Sequence, residues 1–260
     1  NAPIMSAAKP LAIVTGCSRG LGLAIATKLY EKGFDVAGIA RSYPPPAQKK
    51  FLSHCYKCDL SQPQQVETLF HSSLKEEMKN RDRIVLVNNA GSLGPIGPTS
   101  LFGDDAMGAV ASLDATIRLN VTSPMWLSGA VLREAGAEAA VRIINISSGA
   151  ADSAYPGWGT YCASKAALRM SGQVLAVDAS EFDELKGRDV RVFDYAPGVV
   201  DTDMQLQVRT SDVKLFPRVE KFVGLHSGGK LVKAEDSAMP VVDFALCGPG
   251  EAYTQGRYGT

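Results

Sequence analysis

The chain has 260 residues, 45% of them hydrophobic and 21% charged, with 27 Lys and Arg against 27 Asp and Glu. That composition belongs to a globular protein able to bury a sizeable core, and zero net charge gives no support to a nucleic-acid or anionic-membrane partner. No apolar run approaches a membrane span. The start, Asn1-Ala2-Pro3-Ile4-Met5, lacks the basic and apolar regions of a secretory signal, and Met5 is a candidate native first residue. Five scattered cysteines, an odd number, predict reduced thiols and a cytoplasmic location. Cys55 and Cys58 form a C-x-x-C inside an expected strand and its exit, where two small residues with no shared task are the expected reading.

In chain order, the apolar run at 11–14 predicts a first strand, followed by glycines and a helix over 21–32 that ends at Gly33. A second buried strand is expected over 34–40, after which Pro44-Pro45-Pro46 predicts a stiff, non-helical link. Further strands are expected at 53–57, 83–87, 141–146 and 190–195, with helices at 64–79, 109–137 and 160–184. A helix over 234–247 and a short strand near 253–258 close the chain. Strand and helix alternate throughout, so the predicted fold class is α/β: a Rossmann-type, doubly wound parallel sheet with helices on both faces, in one domain over 1–260. Residues 203–233 show no clear period and are expected to form a substrate loop or lid.

Thr15-Gly16-Cys17-Ser18-Arg19-Gly20-Leu21-Gly22 joins the first strand to the first helix. Glycines there permit a tight turn and let the backbone approach a pyrophosphate at a helix N-terminus. An acid at the end of the second strand would bind an adenosine ribose and repel a 2′-phosphate; this chain has Ala40-Arg41-Ser42 instead, with Arg19 in the loop. Two guanidiniums can clamp a phosphate, which predicts NADP(H); a solvated strand-end arginine is the bland alternative. Asp59-Leu60 either borders the adenine or supplies a helix cap. Asn88-Asn89-Ala90-Gly91 offers small residues where a flat cofactor approaches and amides that hold neighbouring loops.

Tyr161 and Lys165 stand four apart on an expected helix and so share a face. An ammonium beside the phenol favours the phenolate and is expected to lower its pKa from about 10, making Tyr161 a usable proton donor or acceptor. Ser148 lies thirteen residues upstream. Trp158 either shapes a substrate mouth or covers the helix start, and Met204 and Phe216 belong either to a lid or to the core. Asp201 and Asp203 are expected to cap the following helix. His54, His71 and His226 show no metal-ligand spacing, so no metal is expected.

The T-G-x-x-x-G-x-G loop, N-N-A-G at 88–91, Asn120, Asn145-Ile146-Ser147-Ser148, Y-x-x-x-K, and Pro197-Gly198 followed by Thr202 together resemble the short-chain dehydrogenases/reductases over nearly the whole chain. Gly157-Trp158-Gly159-Thr160-Tyr161-Cys162 and the run from Tyr195 to Gln205 are similar to sepiapterin reductases and fungal benzil (α-diketone) reductases. The resemblance implies Tyr161 as proton donor, Lys165 as its modulator and a nicotinamide-ribose ligand, and Ser148 as a hydrogen-bond donor to the substrate carbonyl. It implies that Asn120 bends its helix and holds a water in a relay toward Lys165, and that Pro197, Gly198, Val200 and Thr202 meet the nicotinamide end. With these roles the cofactor set is Gly16, Ser18, Arg19, Gly20, Leu21, Gly22, Arg41, Ser42, Asp59, Leu60, Asn89, Ala90 and Gly91 together with Tyr161, Lys165 and the Pro197 segment. Ser148, Trp158, Tyr161, Gly198 and Met204 form the substrate set.

The expected activity is NADPH-dependent reduction of a ketone or vicinal diketone. The alternatives are a pterin-specific sepiapterin reductase, the reverse oxidation of an alcohol, and a non-catalytic NADP(H)-sensing regulator. Sepiapterin reductases carry an aspartate near the C-terminus that anchors the pterin; Gln255-Gly256-Arg257-Tyr258-Gly259-Thr260 offers no acid there, which weakens the pterin reading. The resemblance implies a homodimer or homotetramer built through the helices at 109–137 and 160–184, where Leu119, Met125, Leu127, Leu168 and Leu175 fit either an intersubunit bundle or the domain's own core.

Overall fold

The computed structural model describes residues 9–102, 110–247 and 250–259. The reading of residues 1–5, the helix start at Ala109 and Thr260 fall outside these.

Strand β1 (Leu11–Thr15) is buried along its whole length and runs through the glycine turn into helix α1 (Gly20–Glu31). Then follow β2 (Asp35–Ala40), α2 (Pro46–Lys49) and β3 (His54–Lys57). The expected helix at 64–79 is composite: α3 (Pro63–Leu69), a π-turn (Phe70–Leu74) and α4 (Lys75–Glu77). After β4 (Arg83–Asn88) come α5 (Val110–Ile117), a second π-turn (Arg118–Thr122) and α6 (Ser123–Glu134). The chain continues with β5 (Ala140–Ile146), α7 (Gly159–Glu181), β6 (Val190–Ala196), α8 (Asp203–Arg209), α9 (Val219–Ser227), α10 (Ala234–Leu246) and β7 (Tyr253–Arg257).

All pairings are parallel, in the order β3-β2-β1-β4-β5-β6-β7. The order reverses between β1 and β4, and in such sheets the crevice at the carboxyl ends beside that reversal is where ligands bind. Alternate strand residues feed two apolar layers. Ile13, Ile39, Leu86 and Ile143 meet Leu74, Leu127 and Val131 on one face, and Val14, Val36, Val87 and Ile144 meet Ile25, Leu29 and Val241 on the other. Each such fully buried aliphatic side chain contributes about 1.5–3 kcal/mol, so both faces hold the strand ends rigidly beneath the crevice.

Two expectations about local structure are corrected. The proline-rich link contains a short helix, because Pro46 stands at its first position, where a missing N–H costs nothing. The segment 203–233 is not aperiodic: it holds α8 and α9, whose apolar positions close over a cluster of Leu93, Trp158, Tyr161, Val208, Phe216, Val219 and Phe222. Phe216 is fully buried there. Among the residues expected in the intersubunit helices, Leu127 and Leu168 are buried in this chain's own interior, and Leu119 and Leu175 pack against its core. Met125, Met170, Val174 and Val177 face outward from α6 and α7.

Candidate active site

The glycine turn is tied to the β4 exit by a dense set of hydrogen bonds. Thr15 Oγ1 donates to Val87 O (3.1 Å) and accepts from Asn89 N (2.9 Å) and Ala90 N (3.0 Å). Asn89 Nδ2 donates to Thr15 O (2.8 Å) and Gly16 O (3.3 Å). Gly16 and Gly20 adopt φ of +68° and +54°, a region L side chains rarely enter. A Cβ on Gly22 would lie 2.3 Å from both Gly16 O and Asn89 Nδ2, so only glycine lets α1 start this close to β1. The first α1 N–H groups therefore open onto a crevice with no acid in the helix's first turn, as an anionic ligand requires.

That crevice is a cleft of about 800 Å³ along the carboxyl edge of the sheet. It is lined by Gly16, Ser18, Arg19, Gly20, Leu21, Gly22, Arg41, Ser42, Asp59 and Leu60. Asn89, Ala90, Gly91, Ser148, Tyr161 and Lys165 line it too, as do Trp158, Pro197, Gly198, Val200, Thr202 and Met204, with Thr202 against Gly20. Of the predicted site residues Asn120 alone does not line it. Asn120 sits behind Gly91, in the π-turn, where its Oδ1 accepts from Ser92 N (3.0 Å) and its Nδ2 donates to Ser92 O (2.8 Å) and Ser164 Oγ (3.0 Å). A Cβ on Gly91 would lie 3.3 Å from Asn120 Oδ1 and 3.6 Å from Lys165 Nζ, so the amide and the ammonium converge on that glycine.

Lys165 is 4% exposed and its Nζ donates to Ile146 O at 2.7 Å. Its ammonium lies 5.8 Å from the centroid of the Tyr161 ring, as the four-residue spacing predicts. Burial pushes the lysine down from 10.5 to about 8, with the Asp194 carboxylate opposing. Burial also raises the Tyr161 phenol, while a hydrogen bond with Ser148 acts to lower it. The Tyr161 phenol is therefore raised rather than lowered, contrary to expectation. The physical reason is that the ammonium is turned to the Ile146 carbonyl and desolvation of the phenol outweighs it. Ser148 Oγ accepts from Ala150 N (3.1 Å), and its own proton is shared with the Tyr161 oxygen, the sense of the bond that lowers the phenol.

Trp158, 5% exposed, joins the start of α7 to the α8–α9 segment. Its ring stacks on Phe216 with centroids 4.7 Å apart and meets Tyr161 edge-on at 5.5 Å. It therefore both covers the helix start and walls the cleft. Met204 lines the cleft; Phe216 anchors the segment from behind. The Arg19 guanidinium reaches Asp203 at 3.0 Å, and Asp201 faces Arg209 at 4.0 Å. Neither aspartate caps α8: Thr202 is the N-cap, with no side-chain cap hydrogen bond. Asp59 Oδ1 instead accepts from Ser61 N (3.0 Å) and Ser61 Oγ (2.8 Å), a local turn beside the cleft.

Sequence reasoning missed Tyr155, Lys221, Phe222, Arg257 and Tyr258, all of which line the cleft. It also missed Asp194, 1% exposed below Lys165, whose Oδ2 accepts from Tyr253 OH at 2.8 Å. Burial pushes Asp194 up to about 6 against hydrogen bonds from Asn145 and Tyr253 and the charges of Arg169 and Lys165. A carboxyl raised on folding is destabilising once ionised, so the cost is absent below its unfolded pKa of about 4 and complete above about 6. Asp194→Asn keeps an acceptor for Tyr253 and removes that charge. Thermal melts are expected to show the variant more stable than the parent by about 1–3 kcal/mol at pH 8 and equal to it at pH 4; equal stability at both would refute the buried-charge assignment.

The family model described as short chain dehydrogenase matches residues 10–212. The chain belongs to the short-chain dehydrogenase family. It is 35% identical over 232 residues to a benzil reductase ((S)-benzoin forming) of Bacillus cereus, covering 86% of this chain and 88% of that protein. It is 33% identical over 251 residues to the sepiapterin reductase of Rattus norvegicus, covering 89% of each. The crystal structure of a 3-oxoacyl-(acyl-carrier protein) reductase from Brucella melitensis in complex with NAD superposes with a TM-score of 0.72 at 26% identity, covering 97% of this chain and 96% of that one. The benzil reductase relative is thus bacterial. As a short-chain dehydrogenase the chain is an oxidoreductase that uses a nicotinamide dinucleotide. Among the described residues, no helix is long and apolar enough to cross a membrane, and no group of three or more His, Cys, Asp or Glu is placed to hold a metal.

Proposed function

We propose that this oxidoreductase reduces a ketone or vicinal diketone with NADPH, Tyr161 supplying the proton. The carrying observation is the Ser148–Tyr161–Lys165 constellation in one cleft with a glycine turn that leads into the α1 N-terminus.

The dinucleotide supplies the hydride. The glycine turn and α1 N-terminus receive its pyrophosphate, and Asn89, held on Thr15 and Gly16, keeps that turn in shape. Ser148 and Tyr161 donate to the substrate oxygen, which stabilises the negative charge that develops there and ends with the Tyr161 proton on it. Burial keeps Tyr161 protonated, which suits a donor in reduction and disfavours the phenolate that alcohol oxidation would need. Lys165 holds positive charge next to the phenol as it gives up its proton, and Asn120 fixes the Ser92 backbone and the Ser164 hydroxyl beside it. The apolar wall of Trp158, Val208 and Phe222 admits a flat, partly apolar substrate.

Arg19 and Arg41 both line the adenine end, and no acid follows β2, which supports NADPH over NADH. The protein reads as a cytoplasmic, single-domain homo-oligomer, the exposed Met125, Met170, Val174 and Val177 offering the apolar face for a second copy. To test this reading, cofactor oxidation is followed with benzil. NADPH is expected to be preferred, and Arg41→Ala to cut that preference roughly tenfold to a hundredfold through loss of a charge-assisted phosphate contact. A parent enzyme that prefers NADH would overturn the cofactor assignment.

A further inference from the structure

The sheet order separates two turns that the chain then brings into contact. β4 and β5 lie between β1 and β6. At about 4.8 Å per strand step, β1 and β6 stand roughly 14 Å apart. The turn after β1 nevertheless meets the turn after β6. A Cβ on Gly20 would lie 3.1 Å from Thr202 Cγ2, and Arg19 Nη1 lies 3.0 Å from Asp203 Oδ2. Arg19, Gly20, Thr202 and Asp203 all line the cleft, together with Gly91 and Ser148, which follow β4 and β5. The contact therefore bridges the crevice past the ends of the two strands in between.

The two sides of this bridge are held differently. Behind, backbone fixes the turn after β6: Val232 N donates to Val199 O (2.9 Å) and Asp201 N to Val232 O (2.9 Å). Gln205 Nε2 of α8 donates to Phe222 O of α9 (3.1 Å). Toward the glycine turn, among the described residues, no backbone hydrogen bond joins 16–22 to 198–204. The Arg19–Asp203 pair and the Thr202 methyl make that joint instead. The other acid nearby, Asp201, faces Arg209 of α8 at 4.0 Å, so Asp203 is the one in contact with Arg19. The two side chains of the pair are 71% and 65% exposed. An ion pair so well hydrated is weak enough to open and re-form.

We infer that the Arg19–Asp203 pair is the latch of a strap across the crevice, and that it sets how fast the nicotinamide dinucleotide enters and leaves. The anion site at the α1 N-terminus begins at Gly20, the residue that Thr202 meets. Exchange of the dinucleotide requires Asp203 to release Arg19. The latch closes the free and the loaded cleft alike, so it slows both directions and leaves the equilibrium nearly in place. Asp203 is a positioning residue that acts through Arg19. The inference stands on the dinucleotide site and holds whichever carbonyl is reduced.

Stopped-flow fluorescence of NADH binding and displacement makes the test, because NADH has no 2′-phosphate to draw on Arg19. Asp203→Asn is expected to raise the association and dissociation rate constants together, by about twofold to fivefold, with Kd within about twofold of the parent. Arg19→Gln is expected to do the same, and Asp203→Asn to add nothing further in that background. Asp203→Glu should stay near the parental rates. Asp201→Asn, an equal charge change two residues away, should leave them in place. Dissociation unchanged in Asp203→Asn, dissociation faster without association, or full additivity of the two substitutions overturns the inference.

Discussion

Tyr161→Phe is expected to lower kcat for carbonyl reduction by about 10²–10⁴-fold while NADPH affinity stays within a few-fold. The variant loses one hydroxyl from a ring that is 7% exposed and packed edge-on against Trp158, so shape and burial are retained. What disappears is the proton source at the point where alkoxide charge develops, leaving Ser148 as the remaining hydroxyl. Titration of NADPH fluorescence measures the binding half of the expectation, and steady-state turnover of a diketone measures the other. Near-parental turnover would remove Tyr161 from the chemistry.

Lys165→Met is expected to abolish measurable turnover and to stabilise the fold. Lys165 is 4% exposed and pushed by burial from 10.5 to about 8, so at neutral pH it is charged at a cost. A base whose pKa falls on folding carries no penalty above its unfolded value; the penalty grows as pH drops through that value and is complete below about 8. At pH 7 it amounts to something on the order of 3 kcal/mol. Loss of the Nζ hydrogen bond to Ile146 O offsets part, giving an expected net gain of about 1–2 kcal/mol. As pH approaches 11 the charge penalty vanishes while the lost hydrogen bond remains, so the gain should turn into a loss of about 1 kcal/mol. Denaturation at pH 7 and pH 11 checks the sign, and a variant less stable than the parent at pH 7 would show that the lysine is held comfortably. A gain in stability with loss of activity is the exchange expected where a site holds a charge in a poorly solvated place.

Much of this site is legible in the sequence because its pieces act locally. The glycine turn works through backbone conformation at Gly16, Gly20 and Gly22, and the Tyr161–Lys165 pair through helical spacing, so short strings report them. The apolar runs likewise mark every strand of the sheet within a residue or so of its observed bounds. What was hidden depends on distant partners. α8 and α9 have seven and nine residues, and what they pack on is an aromatic cluster around Trp158 assembled from far along the chain. The π-turn that seats Asn120 widens a helix without changing its apolar pattern enough to be read. Arg257 and Asp194 reach the site only through the β5-β6-β7 register. The direction of the Tyr161 pKa follows from burial, which spacing alone does not report.

The exchange of roles between charge and burial also ties fold to activity. The sheet edge and the α8–α9 cover exclude water from Tyr161 and Lys165, and that exclusion keeps the phenol neutral and depresses the ammonium. The same exclusion makes every donor in the cleft count for more against a developing oxyanion.

A crystal structure of the enzyme with NADP+ and a bound diketone or its alcohol product tests the proton-donor account most directly. The account predicts the reacting oxygen within about 2.6–3.2 Å of both Tyr161 Oη and Ser148 Oγ, and the reacting carbon against the reactive face of the nicotinamide. An oxygen held by other groups, with the Tyr161 hydroxyl turned away from it, would contradict it.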